Sequence, residues 1–271
     1  MKEPVIFKDS QLLAKALQQQ IFHFTSADSL FAILEDLTLK MTPCSKLNDL
    51  NEGNIKNFEV KDSFKCVEFV KEIETNCYVS SFSKSYQVQG KWISGVNRPN
   101  MWAYYARSMS GACVVLNREK FLGINKELLS RYFHKLEDVE YNVLNASLQR
   151  DIDTKDFDVV LEQHSKELFF TKHISWERED EWRLMLYSRV EPEKLSIDGC
   201  IYYIVLGKKF LEGTTMVENK RKKNSELLIN FLRTNKHDCF SPYSFALFMH
   251  SSSGYSLLPA CGHTIFDDNS K

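Results

Sequence analysis

No apolar window in this chain approaches the ~20 residues that a helix needs to cross a bilayer, which excludes a transmembrane role. There is no net charge of consequence either. Thirty-five basic residues stand against thirty-six acidic ones, so no global field recruits nucleic acid or an anionic membrane, and such a partner must be held by a local patch. The seven cysteines are scattered without regular spacing, and the polar opening Met-Lys-Glu-Pro has no apolar signal region. These features predict a reduced, cytoplasmic protein. Also missing are the Gly-x-x-x-x-Gly-Lys phosphate loop, Gly-x-Gly-x-x-Gly, the Gly-x-Ser-x-Gly elbow and His-Glu-x-x-His, so ATPase, dehydrogenase, serine-esterase and zincin readings lose their usual support. Neither an internal repeat nor a long linker is visible.

What is present suffices for a large core. At 43% hydrophobic and 13% aromatic, 271 residues can form one large domain or one with a smaller appendage. Leu12, Leu13, Ala16 and Leu17 mark an amphipathic helix, followed by a short buried strand at Ile21-Phe22-His23-Phe24. Ser26 and Asp28 offer cap oxygens to a helix carrying Leu30, Ile33, Leu34 and Leu37, and Leu37 to Met41 alternates as a strand. Residues 46–54 are rich in turn formers and predict a loop. Cys77 to Ser83 is strand-like, Lys84 to Asn100 a polar loop with the character of a flap, and Met101 to Arg107 a short helix. Gly111 to Leu116 predicts a central strand, 119–136 a helix, Val139 to Val143 an extended piece and 154–174 a helix. Strand alternation sets Trp182, Leu184 and Leu186 on one face, with Glu181, Arg183 and Met185 on the other. Ile201 to Gly207 predicts a further strand and Asn224 to Arg233 a helix.

Polar residues that a core does not need stand at the edges of three apolar elements: His23-Phe24-Thr25-Ser26, Met101-Trp102-Ala103-Tyr104-Tyr105-Ala106, and Glu177-Arg178-Glu179-Asp180-Glu181-Trp182-Arg183. Each has a bland reading. His23 can be a satisfied core histidine, the tyrosines can simply pack, and the acids can form a solvated turn in which Glu181 pairs with Arg183.

Phe24-Thr25-Ser26, Leu47-Asn48-Asp49, Tyr78 to Ser83, Met101 to Ala106, Gly111, Lys172 and Trp176 to Arg183 occur in the order of a widespread bacterial family, which the chain resembles from about residue 21 to 207. That family is the domain of unknown function numbered twenty-nine seventy-one in its series. The chain departs from the pattern at Leu50, where the family has proline, and at Ser81, where it has cysteine. The resemblance itself implies no activity.

A second resemblance, to ADP-ribosyltransferases of the His-Tyr-Glu type, does imply chemistry. It rests on His23-Phe24-Thr25, the following helix and short strand, Tyr104 or Tyr105, and a strand-borne Glu181 or Glu179. It implies an α+β fold with a split, mainly antiparallel sheet and flanking helices, and NAD as co-substrate without a metal. His23 would hold a ribose hydroxyl, the Phe24 backbone the carboxamide, and a tyrosine would stack on nicotinamide. The glutamate would stabilise charge as the glycosidic bond breaks, a fixed-anion effect of about 3–4 kcal/mol. Asn48, Asp49, Trp102 and Arg183 would line the substrate side. A role in a bacterial defence or toxin system follows from that resemblance alone.

Two other classes compete with the transferase. Asp49, Glu52, Glu179 and Glu181 could surround Mg²⁺ in a metal-dependent nuclease, or the aromatic and acidic residues of the transferase reading could recognise a ligand or partner in a non-enzymatic binding module. His237, Cys239, His250, Cys261 and His263 match no compact zinc pattern and read as ordinary residues. The one dense basic segment, Lys220-Arg221-Lys222-Lys223, extended by Lys208-Lys209, is where an RNA or DNA acceptor is expected to make contact. The expected organisation is a catalytic-like domain over 1–210 and an extension over 211–271 packed on the core, in which residues 237–263 cover the core or bind an antitoxin-like or regulatory protein.

Overall fold

The computed structural model describes residues 10–47, 63–142, 156–217, 220–234, 245–251 and 254–259. The architecture is α+β, with a mainly antiparallel sheet and flanking helices. In chain order, the first elements are α1 (Ser10–Gln18), β1 (Gln20–Thr25), α2 (Ala27–Asp36), β2 (Thr38–Leu39), β3 (Thr42–Pro43), α3 (Ser63–Asn76) and β4 (Cys77–Lys84). Then come β5 (Tyr86–Val88), β6 (Lys91–Ile93), α4 (Pro99–Tyr104), β7 (Ala112–Asn117), α5 (Arg118–Leu129), β8 (Phe133–Asp138) and β9 (Glu140–Asn142). They are followed by α6 (Phe157–Phe169), β10 (Thr171–His173), β11 (Glu181–Tyr187), β12 (Leu195–Ser196), β13 (Ile201–Leu206), β14 (Thr214–Val217), β15 (Lys220–Lys223), α7 (Asn224–Thr234), β16 (Phe245–Ser251) and β17 (Gly254–Pro259). No helix among the described residues is long and apolar enough to cross a membrane.

Two compact units are each assembled from separated stretches of chain. The first comprises Met1–Thr38, Ser83–Gly123 and Ser196–Lys271, and the second Leu39–Phe82 and Ile124–Leu195. Within the first unit β16 pairs in parallel with β13 and antiparallel with β17.

In the first unit β7 is central, antiparallel to β1 on one side and to β13 on the other, and Ala112 to Leu116 are buried. Strand alternation sorts β1 between the two faces. Phe22 and Phe24 join Cys113, Val115, Val205, Trp102, Met101 and Ala106 in one cluster. Trp102 meets Phe24 edge-on at 5.3 Å and donates its indole N–H to Val96 O at 2.8 Å, so its polar atom is satisfied inside the core. Ser26 caps α2 as the sequence predicts, accepting from Ser29 N–H at 3.2 Å, and Asp28 lies in the first turn.

The span 84–100 is not the plain polar loop expected from its composition. It contains the hairpin β5–β6, whose two-residue turn Gln89-Gly90 has φ 49° and 77°, the positive values that match hairpin twist. Buried Arg98 fastens the segment, donating to Lys84 O and lying over the Tyr86 ring at 4.2 Å.

In the second unit the expected helix over 119–136 stops at Leu129. Phe133 to Asp138 instead form β8, paired antiparallel with β11 from Tyr187 to Trp182. Cross-strand pairing outweighs the local helical pattern here. The expected helix over 154–174 likewise ends at Phe169, and Thr171 to His173 pair in parallel with β9. A core of Phe69, Ile73, Val79, Val160, Leu161, Leu168, Phe169, Phe170 and Met185 underlies these elements. Glu181 to Leu186 are buried throughout, so β11 has no wet face and its charged residues must be paired inside.

Candidate functional site

The acidic segment Trp176 to Arg183 closes on a buried ionic quartet. Lys172 arrives on β10, Glu179 ends the 3-10 turn Ile174–Glu179, and Glu181 and Arg183 share one side of β11 two residues apart. Asp180 between the two glutamates adopts the left-handed conformation, φ 46° and ψ 60°, which an aspartate tolerates better than most residues. Lys172 Nζ donates to Glu179 Oε2 at 2.9 Å and to Glu181 Oε1 at 2.5 Å. Arg183 donates to Glu181 Oε2 through Nε at 3.1 Å and Nη2 at 2.7 Å. Its Nη1 donates to Phe169 O at 2.7 Å, satisfying a last-turn carbonyl of α6 with a cation at the negative end of that helix. Lys172 also lies 5.4 Å from the Trp176 ring centroid, and the Glu181 backbone N–H donates to Tyr141 Oη at 3.0 Å.

The four side chains are 1–4% exposed, and two cations balance two carboxylates. Burial alone would raise the Glu181 carboxyl, but the Arg183 and Lys172 charges outweigh it and hold the group well below the usual carboxylate range. Burial and the Glu181 charge push the Tyr141 hydroxyl up. Both Glu181 carboxylate oxygens already accept hydrogen bonds from Lys172 and Arg183, the arrangement of a counterion.

His23, Phe24, Thr25, Trp102, Tyr104, Tyr105 and the basic segment lie in the first unit. His23, half-buried, is in register with Val114, and Val114 with Ile204, on the face opposite the Phe22–Phe24–Val115 cluster. Tyr105 packs against that cluster, so β1 separates His23 from Tyr105. Phe24 is buried in it, as is Trp102, and Thr25 is buried at the end of β1. Tyr104 leaves 66% of its surface exposed at the end of α4. Asn48, Asp49 and Glu52 lie outside the described residues, as do His237, Cys239, Cys261 and His263. Among the described residues no group of three metal-ligating side chains converges.

Sequence reasoning missed the turn that follows α4. Arg107, Ser108 and Met109 all have positive φ, 44°, 54° and 75°, a rare run for residues with side chains. Close packing and hydrogen bonds enforce it. A Cβ on Gly111 would stand 2.1 Å from Thr25 O, and one on Gly207 would stand 2.2 Å from Met109 O. Lys209 N–H donates to Met109 O at 3.0 Å, while Ser108 N–H and Met109 N–H fold back onto Ala103 O and Trp102 O. The turn therefore presents Tyr104 and Arg107 from a fixed frame, with Arg107 3.2 Å from Asp28 in an exposed pair. Gly111, visible in the sequence as a strand start, was the available signal.

Residues 101–184 match a family model described as a protein of unknown function, DUF2971. The family resemblance read from the sequence is thereby borne out over that stretch. The DUF2971 match takes in both the tyrosine turn and the whole quartet, and leaves His23 and the basic segment outside. No curated protein and no solved structure matches the chain significantly. The likeness to ADP-ribosyltransferases consequently rests on sequence alone.

Proposed function

We propose that this chain is a nucleotide-recognising module, with NAD the nucleotide named by its transferase-like opening unit, and that the ligand is held by the turn after α4. The observation that carries the reading is the enforced left-handed run Arg107-Ser108-Met109 beside the exposed Tyr104. Backbone strain of about 1–3 kcal/mol per residue persists where surrounding structure over-determines it, and such places are enriched in ligand contacts. The chemistry on offer is a π-face for a base or nicotinamide ring and a guanidinium for a diphosphate. Releasing Arg107 from Asp28 costs little, since an exposed pair contributes about 0–1 kcal/mol, whereas a guanidinium forms two parallel bonds to phosphate. Titration calorimetry with NAD, ADP and adenosine tests this. Saturable binding of NAD and ADP that weakens in Tyr104→Ala and Arg107→Ala supports the reading; no binding of any of the three overturns it.

The transferase remains as a second reading because the Arg183 and Lys172 charges beside Glu181 hold its carboxyl well below the usual carboxylate range, which favours the anionic form that stabilises an oxocarbenium centre. It requires the carboxylate to exchange its bonds to Lys172 or Arg183 for a ribose hydroxyl. Labelled NAD with a macromolecular acceptor decides it: nicotinamide release that is lost in a folded Glu181→Gln variant supports transfer.

A further inference from the structure

The basic run Lys220 to Lys223 forms β15, paired antiparallel with β14 in a two-stranded ribbon. Lys220, Arg221 and Lys223 are exposed and Lys222 half-buried. Residues 208–226 hold six cations against three acids in a chain whose overall balance is −1, so the positive charge is local. None of these six cations pairs with an acid among the described residues.

Register separates the ribbon's two sides. Thr215, 3% exposed, lies opposite Lys222 and marks the inner side, so Arg221 and Lys223, opposite Met216 and Thr214, belong to the outer side. Met216, opposite Arg221, is 56% exposed there. The ribbon does not hang loosely. Asn224, 1% exposed, donates from Nδ2 to Phe210 O at 2.9 Å and accepts from Thr215 Oγ1 at 2.8 Å, and its backbone N–H donates to Gly213 O at 3.0 Å. One buried side chain thus ties the turn carrying exposed Lys208 and Lys209 to the ribbon and to the start of α7. Cations fixed in one frame bind a repeating anion with less ordering cost than cations on a free tail.

We infer that this anchored basic ribbon docks a nucleic-acid phosphate backbone, with Arg221 and Lys223 on the contacting side and Lys208 and Lys209 extending it. The inference is independent of the nucleotide reading, since it uses none of the same residues. Charge complementarity selects the occupant: closely spaced exposed cations gain most from a polyanion that releases counterions, and base reading is not required.

The test is fluorescence anisotropy of the full chain with a labelled uridine 20-mer and a 20-base-pair DNA duplex across a salt series, with anionic and neutral phospholipid vesicles in parallel. The expected result is salt-dependent nucleic-acid binding. In Arg221→Gln/Lys223→Gln the affinity should fall at least about tenfold, and the slope of log K against log salt should become shallower by about 1.4 for the single strand or 1.8 for the duplex. Lys91→Gln/Lys126→Gln, exposed elsewhere, should change neither. Binding that is absent, independent of salt, or equal in both double variants overturns the inference. Preferential binding of anionic vesicles, lost in the ribbon variant, overturns it in favour of a membrane surface.

Discussion

At the scale of single residues Glu181 is defined by its two buried ion pairs. The transferase resemblance makes Glu181 or Glu179 the reacting acid, and in the fold Glu181 is buried against Lys172 and Arg183. Removing one partner of such a buried set leaves uncompensated charge and costs about 3–5 kcal/mol. Glu181→Gln is therefore expected to lower unfolding stability by about that amount in denaturant titrations. A second expectation concerns pH. The folded-state carboxyl is depressed, so its contribution is complete above the unfolded value of about 4.3 and is lost as pH falls further. Stability of the native chain should thus drop below about pH 4, and Glu181→Gln should show a flatter dependence there. Equal slopes for the two proteins would remove Glu181 from that linkage. The pairing of Glu181 with Arg183 was legible in strand alternation, two residues apart. Lys172 was not, because the 3-10 turn between β10 and β11 brings a residue nine positions away to the same carboxylate.

Among the elements, those whose local signals agree with their tertiary partners were the readable ones. The α2 cap at Ser26, the buried β7, and β13 and α7 all announce themselves by spacing and termini. Phe133 to Asp138 did not, since only its ladder with β11 makes it a strand. The turn after α4 was equally hidden: nothing in Arg107-Ser108-Met109 favours positive φ, and the conformation is imposed by Thr25, Gly207 and Gly111. Gly207→Ala tests that imposition. The added methyl would meet Met109 O, so the turn must shift, and nucleotide affinity should fall while the thermal unfolding midpoint drops by a few degrees. Retained affinity with an unchanged midpoint would show that the turn's frame is not needed.

For the whole molecule, each of the two units carries its own chemistry. The second places two glutamates, a lysine and an arginine where they hold α6, β10 and β11 together. The first carries the exposed Tyr104, Arg107 and the basic ribbon. The DUF2971 match joins the quartet to the tyrosine turn, so the scaffold and the proposed contact surface belong to one matched stretch. In the proposed reading the aromatic and cationic side chains of the first unit recognise the ligand, and the acidic cluster holds the second unit together. The direct measurement is NAD affinity by calorimetry for the native chain, Tyr104→Ala/Arg107→Ala and Glu181→Gln, each confirmed folded by circular dichroism. Binding is expected to be lost in the Tyr104/Arg107 variant and retained in Glu181→Gln. Undiminished binding in the first and loss in the second would contradict the proposed reading.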